Sequence, residues 1–116
     1  MTSQELDPED AKIITLARST RARTGATEGA GVRDTMGRTY TAATVNLPSL
    51  RLSALRLAVA MAVSSGADGL EAAAVVGEGE TLPEEDLAAV ADAAGASVPV
   101  LHAGPDGEVR SVLTAG

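Results

Sequence analysis

The side chains able to do chemistry in this chain fall into a few small groups. Glu84, Glu85 and Asp86 stand side by side. Three adjacent carboxylates could bind a hard cation, yet directly after Pro83 they also suit the first turn of a helix, where acids complement the positive end of the dipole. Arg18, Arg21 and Arg23 could hold a phosphate, or complement a helix C-terminus on a solvated face. His102 is the single histidine, and the sequence shows no nucleophile for it to serve, so it reads as structural. Ser53 lies three residues before Arg56 with no Ser-His-Asp arrangement around it. The glycine-rich stretch GATEGAG at 25–31 lacks the Lys-Ser/Thr of a phosphate loop. Cysteine is absent, which removes disulfides, thiolate zinc sites and Cys nucleophiles together.

The elements that would position these groups can be taken in order. Asp7-Pro8-Glu9-Asp10 opens a helix with a cap, a proline in its first turn and acids at its N-terminus, and Ile13, Ile14, Leu16 and Ala17 give it an apolar side. Residues 30–34 and 38–45 read as two strands joined by a hairpin turn that ends at Gly37. Residues 50–65, LRLSALRLAVAMAVSS, carry apolar side chains at helical spacing: Leu52, Leu55, Val59 and Val63 form a stripe, with alanines over much of the rest. Pro48 and Ser49 suit a start for this helix and Gly66 a stop. So little polar surface predicts a central helix, covered on most sides and packed on a sheet. Residues 71–77 form a short, continuously apolar run, as in a strand buried on both faces. A third helix follows over 82–94, stopped by Gly95, and strands over 98–101 and 109–113 flank the turn Gly104-Pro105-Asp106-Gly107. The order α-β-β-α-β-α-β-β suits a three-layer α/β/α sandwich around a mixed sheet. Residues 1–116 form one domain in this reading, with 1–6 a flexible N-terminus.

Composition limits how such a domain can be packed. There is no Phe or Trp and one Tyr, Tyr40. A core of Ala, Val and Leu gains less per residue from burial, at roughly 25 cal/mol per Å², so close backbone approach must replace side-chain area, and partner subunits can complete the core. The net charge of −7 is uneven: residues 1–60 hold eight basic groups against six acids, residues 61–116 one against ten. An acidic chain without a basic face or stacking aromatics is a poor nucleic-acid binder. No apolar run reaches the ~18 residues of a membrane span, and the N-terminus MTSQELDPED does not read as a signal peptide. The cytoplasm is therefore the expected location, with no membrane and no nucleic acid as partner.

Four short matches, in order along the chain, resemble the cytidine deaminase family. Glu28-Gly29-Ala30-Gly31-Val32 sits where the family writes Val-Gly-Ala-Ala-Leu. Gly37-Arg38-Thr39-Tyr40-Thr41 resembles its Gly-Arg-hydrophobic-hydrophobic-Thr strand. Ser53-Ala54-Leu55-Arg56 falls on Cys-Ala-Glu-Arg at the start of the central helix, and Pro83-Glu84-Glu85-Asp86-Leu87 falls on Pro-Cys-x-x-Cys. The resemblance implies the cytidine deaminase-like three-layer α/β/α sandwich with a mixed five-stranded sheet. It also implies a zinc site whose three ligand positions are Ser53, Glu84 and Leu87, and a proton-shuttling glutamate matched by Leu55. Serine is a poor zinc ligand at neutral pH, leucine is none, and leucine moves no proton. The family's ribose-binding Asn-x-Glu is matched by Thr44-Val45-Asn46, and the aromatic residue bordering the base by Ala26. Arg56 alone stands as in the family, freed from the thiolates it would support and available to pair with Glu84 or Glu85.

The expectation is thus a degenerate, catalytically inactive member of the family without its zinc or any other cofactor. Its role is that of a structural, regulatory or oligomerising module, as a homo-oligomer (the family forms dimers and tetramers) or with a protein partner. The alternative is a small-molecule, nucleoside-like binding module using a remodelled pocket around Thr44, Asn46, Ser53 and Arg56. A hydrolase of changed chemistry is the third option, and no residue constellation in the sequence supports it.

Overall fold

Residues 6–116 are described by a computed structural model. Of the expected flexible N-terminus, residues 1–5 lie outside the described residues, and Leu6 packs against one of the two cores. The elements are α1 (Pro8–Thr24), β1 (Glu28–Asp34), β2 (Thr39–Ala43), β3 (Val45–Leu47), β4 (Leu50–Leu52), α2 (Ala54–Ser64), β5 (Leu70–Gly77), α3 (Glu84–Ala94), β6 (Val98–Ala103) and β7 (Val109–Ala115). Five strands form one sheet in the order β2-β1-β5-β6-β7. The β5–β6 pair is parallel and the other neighbours are antiparallel, so the sheet is mixed. The fold is the α/β/α sandwich that the residue pattern predicts.

Each face of the sheet carries its own core, and alternation along the strands assigns residues to them. On one face Ile13, Ile14 and Ala17 of α1 cover Ala72, Ala74, Val76, Leu101 and Ala103. On the other, α2 and α3 bring Leu55, Ala58, Val59, Ala62, Val90 and Ala94 onto Ala30, Val32, Ala73, Val75 and Val100. The scarcity of large side chains is met by close approach. A Cβ on Gly29 would run into the Ala17 carbonyl oxygen, and one on Gly31 would stand 2.8 Å from Ile13 Cγ2. Two glycines on one strand thus let the backbone of α1 rest almost directly on the sheet.

The central helix is shorter than its sequence suggests. Ser53 is extended (φ −66°, ψ 155°) and its hydroxyl accepts from the Arg56 N–H, a standard helix cap, so α2 begins at Ala54 and not at Leu50. Residues 50–52 pair instead with 45–47, Leu47 opposite Leu50, and Pro48-Ser49 form the turn of this hairpin, where a missing N–H costs nothing. The expected strand over 38–45 divides for the same reason: its end leaves the main sheet for the hairpin. The expected stripe shifts as well. Leu55 and Val59 enter the core with Ala54, Ala58 and Ala62, whereas Leu52 lies on the hairpin and Val63 is 55% exposed.

The β1–β2 turn is held by a buried charge. Asp34 Oδ1 accepts from the Met36 and Arg38 N–H groups, both at 2.9 Å, and Oδ2 from the Tyr40 hydroxyl at 2.9 Å. Burial opposes ionisation, but these donors and the nearby Arg38 charge outweigh it and hold the carboxyl below its usual range. The stabilisation is therefore complete above the ordinary aspartate value of about 3.9 and is lost as pH falls from there through the folded-state value. Asp34→Asn is expected to lower the urea midpoint at neutral pH, with the difference from wild type shrinking below about pH 4; a constant difference across that range would refute the charge's part in it. Gly29→Ala is expected to cost about 2–3 kcal/mol, since the new methyl meets backbone that cannot rotate away. Equilibrium unfolding of the purified variant measures it.

Candidate functional site

A cleft of about 330 Å³ opens where the N-termini of α2 and α3 meet the β3–β4 hairpin and the start of β1. Its walls include Glu28, Thr44, Asn46, Arg51, Ser53, Arg56, Glu85 and Asp86. All four residues expected to line a remodelled pocket, Thr44, Asn46, Ser53 and Arg56, are therefore brought together. Ala26 is half-buried just before β1, and the cleft wall begins at its neighbour Thr27.

The joint of the site is a hydrogen bond between the two helix starts. Ser53 Oγ donates to Asp86 Oδ1 at 2.9 Å while accepting from the Arg56 N–H at 3.1 Å. Asp86 is 2% exposed. Burial raises its pKa first of all, Ser53 and Arg56 pull it back, and Glu85 adds to the rise. Arg56 Nη1 stands 3.7 Å from Glu85 Oε2 in an exposed pair, which is worth little in stability. Thr44 closes the strand end: its hydroxyl receives the Glu28 N–H at 3.1 Å, and its own N–H donates to the Glu28 carbonyl at 3.2 Å. This fixes the Glu28 backbone at the cleft mouth. The Glu28 carboxyl is pushed up by burial and by the Asp86 charge, against the pull of Arg21.

The other positions implied by the resemblance are dispersed. Leu55 is fully buried in the core beneath α2. Glu84 is exposed, and with Leu87 it lines a different surface, against Ala88, Ala91 and Thr114. Leu87 also packs on the core. Ser53 thus meets Asp86, and neither Glu84 nor Leu87 faces the cleft.

Glu28, Glu85 and Asp86 are cleft carboxylates outside the four residues expected to line the pocket; the sequence offers Glu85 and Asp86 as helix-start acids or cation ligands, and the strand repeat carries a signal for Glu28. With Pro83 as cap, Asp86 is the third helical residue, whose side chain reaches back over the helix start. Along β1, Ala30 and Val32 face α2 and α3, and the two-residue repeat puts Glu28 on that face too. His102 faces the same core from β6, beside Val75. It is buried, its Nε2 has no partner, and burial followed by the Arg110 charge lowers its pKa. It stands apart from the cleft.

Zinc can be tested against these residues. The ion wants three thiolate, imidazole or carboxylate donors arranged around it. The Ser53 hydroxyl already donates to Asp86 and accepts from the Arg56 N–H, Glu84 lines a different surface, and Leu87 has no donor atom. Among the described residues, no group of three or more His, Cys, Asp or Glu is placed to hold a metal ion. The donor set does not fit the family's zinc. No helix among the described residues is long and apolar enough to cross a membrane.

Comparison with known proteins agrees with this architecture. Cytidine deaminase from Burkholderia pseudomallei is 23% identical, with a TM-score of 0.79 over 90% of this chain and 91% of that one. Cytidine deaminase from Mycobacterium leprae is 18% identical, with a TM-score of 0.72 over 94% and 95%. A mutant cytidine deaminase from Mycobacterium tuberculosis is 22% identical, with a TM-score of 0.68 over 83% and 85%. No curated protein matches the sequence. At these identities the structural likeness speaks for the fold. The family model described as cytidine deaminase-like matches residues 6–107, and with most of its length so matched the chain belongs to the cytidine deaminase-like family.

Proposed function

We propose that this protein is a non-deaminating member of its family that works as a structural and oligomerising module. The observation that carries the reading is the fate of the Ser53–Arg56 turn. Hydrolytic deamination in the family needs a metal to make hydroxide and a carboxylate to carry protons to the base. Here Ser53 spends its hydroxyl on capping α2 and on joining α3, and Leu55 fills the core at the position matched to the proton carrier. Neither residue can be turned to the reaction without opening a helix end or the core. The purified protein, incubated with cytidine or deoxycytidine and excess zinc, is expected to show no loss of cytosine absorbance above the uncatalysed rate. Zinc-dependent turnover would overturn the proposal.

Assembly is the positive half of this reading. The outer side of α2 exposes Met61 and Val63, and the β3–β4 hairpin exposes Leu47 and Leu50. A core made mostly of alanine and valine leaves little surplus stability for a lone subunit, and a second copy covering these side chains would add to it. Light scattering coupled to size exclusion at micromolar concentration is expected to give a mass well above the 11.6 kDa of one chain; a monomer would refute this half.

The cleft favours a second reading, a small-molecule binding module. It is open, and it gathers carboxylates, two arginines, an amide and hydroxyls in a space suited to a small polar molecule.

A further inference from the structure

The main sheet ends in two unlike edges. At one, β2 is five residues long and none of them is exposed. At the other, β7 pairs with β6 alone, and Arg110, Ser111, Val112 and Thr114 are all exposed. A strand so placed turns a row of backbone N–H and C=O groups outward, and among the described residues none of these groups finds a backbone partner beyond the ladder. One bulge, at Arg110, interrupts that ladder, and from Ser111 to Ala115 it runs unbroken, with no charge and no proline. The helix α1 packs on β1, β2 and β5, so Val112, opposite Leu101 on that face, stays 53% exposed. On the other face α3 and β7 flank a groove of about 420 Å³, its helix side the stripe Glu84, Leu87, Ala88 and Ala91, its strand side Thr114 and Ala115.

The charge along this edge is one-sided. Glu84 ends the groove stripe, and Glu78 and Glu80 line a second hollow with Arg110 and Ser111 toward the other end of β7. Arg110 is the single base after residue 60, and its Nη1 is given to the Glu78 and Gly79 carbonyls at 3.3 and 3.5 Å. None of the three glutamates has an ion pair among the described residues. We propose that an extended, basic segment of a partner protein adds to β7 as a sixth strand of the sheet. In such an addition main-chain hydrogen bonds supply affinity and alternate side chains supply choice. On the α3 side, lysine or arginine stems lie along Leu87, Ala88 and Ala91 and carry their charges to the glutamates. On the opposite side, a β-branched residue covers Val112. A second copy is a poorer occupant, because its own β7 brings one base, already engaged, within a half of the chain that holds ten acids. The edge uses none of the α2 and hairpin side chains on which assembly rests, so the two readings fail separately.

The probe is a capped peptide of alternating lysine and valine, titrated into the whole chain at pH 7 and followed by NMR of backbone amides. Two controls keep its length. One carries glutamate in place of lysine, and the other is methylated at every backbone nitrogen, which keeps the charge and removes the ladder donors. The lysine peptide is expected to bind saturably, with shifts confined to residues 109–115 and 84–91. It is expected to bind about tenfold tighter than the glutamate peptide, the size of effect one charge-assisted contact gives, and the methylated peptide is expected not to bind. Changing the exposed pair Glu80→Gln and Glu84→Gln is expected to remove most of the preference for lysine, and Val112→Lys to weaken the lysine peptide by repulsion; thermal melts verify that the variants fold. Equal binding of either control, shifts centred elsewhere, or no saturable binding at millimolar concentration would overturn the proposal. Outward-facing β7 amides already protected from hydrogen exchange in the free chain would give the edge to a second copy and overturn it as well.

Discussion

Everything in this domain depends on how closely backbones approach one another. A chain without Phe or Trp cannot fill the space between a helix and a sheet at the usual separation, and an unfilled gap forfeits dispersion contacts along its whole lining. The structure removes the gap in place of filling it. Gly29 and Gly31 strip one face of β1, Ala17 presents almost nothing from α1, and the α1 backbone settles against the strand. The opposite face uses the same device, with Ala54, Ala58 and Ala62 turned from α2 toward the sheet. Small side chains also lose little conformational freedom on burial, which offsets part of what their small area fails to contribute.

That closeness sets the terms for the cleft. Bringing α2 tightly onto the sheet places its N-terminus beside that of α3, so two sets of unsatisfied backbone N–H groups meet at one point. Polar side chains must gather there. Ser53 serves α2 directly and reaches across to Asp86, and the two helix ends are tied by one hydroxyl. The Ser53 hydroxyl and then the Arg56 charge offset part of what burial costs the Asp86 carboxylate. At the three positions that the resemblance matches to zinc ligands, Ser53 caps α2, Glu84 is exposed and Leu87 packs against the core. A helix-end junction of this kind is polar by necessity, whatever chemistry it hosts.

The same junction explains why the carboxylates of the third helix separate in role. Glu84, Glu85 and Asp86 are consecutive and chemically alike, but successive helical residues point about 100° apart. Glu84 faces solvent beside Leu87, Glu85 meets Arg56 across the mouth of the cleft, and Asp86 turns inward. One first turn of helix thus supplies an exposed acid, a paired acid and a buried acid.

Much of this protein was legible from its sequence, for reasons that are local. Caps, glycine stops and the period of apolar residues depend on neighbours a few positions away, and they sufficed for the three helices, the buried β5 and the three-layer architecture, while the family came from the resemblance of four short motifs in order. The resemblance also singled out Thr44, Asn46, Ser53 and Arg56, and the four line one cleft. Residues 50–52 were a different matter: LRL satisfies a helical or an extended pattern equally, and only pairing with 45–47, across a turn no propensity demanded, made it a strand. Nor could the order of residues show which acid of the third helix turns inward, because that depends on the rotation of α3 against α2. Position along the chain determined which groups were available. Packing decided which of them met, since a contact such as Ser53 to Asp86, 33 residues apart, is set by the approach of two helices and leaves no trace in local sequence.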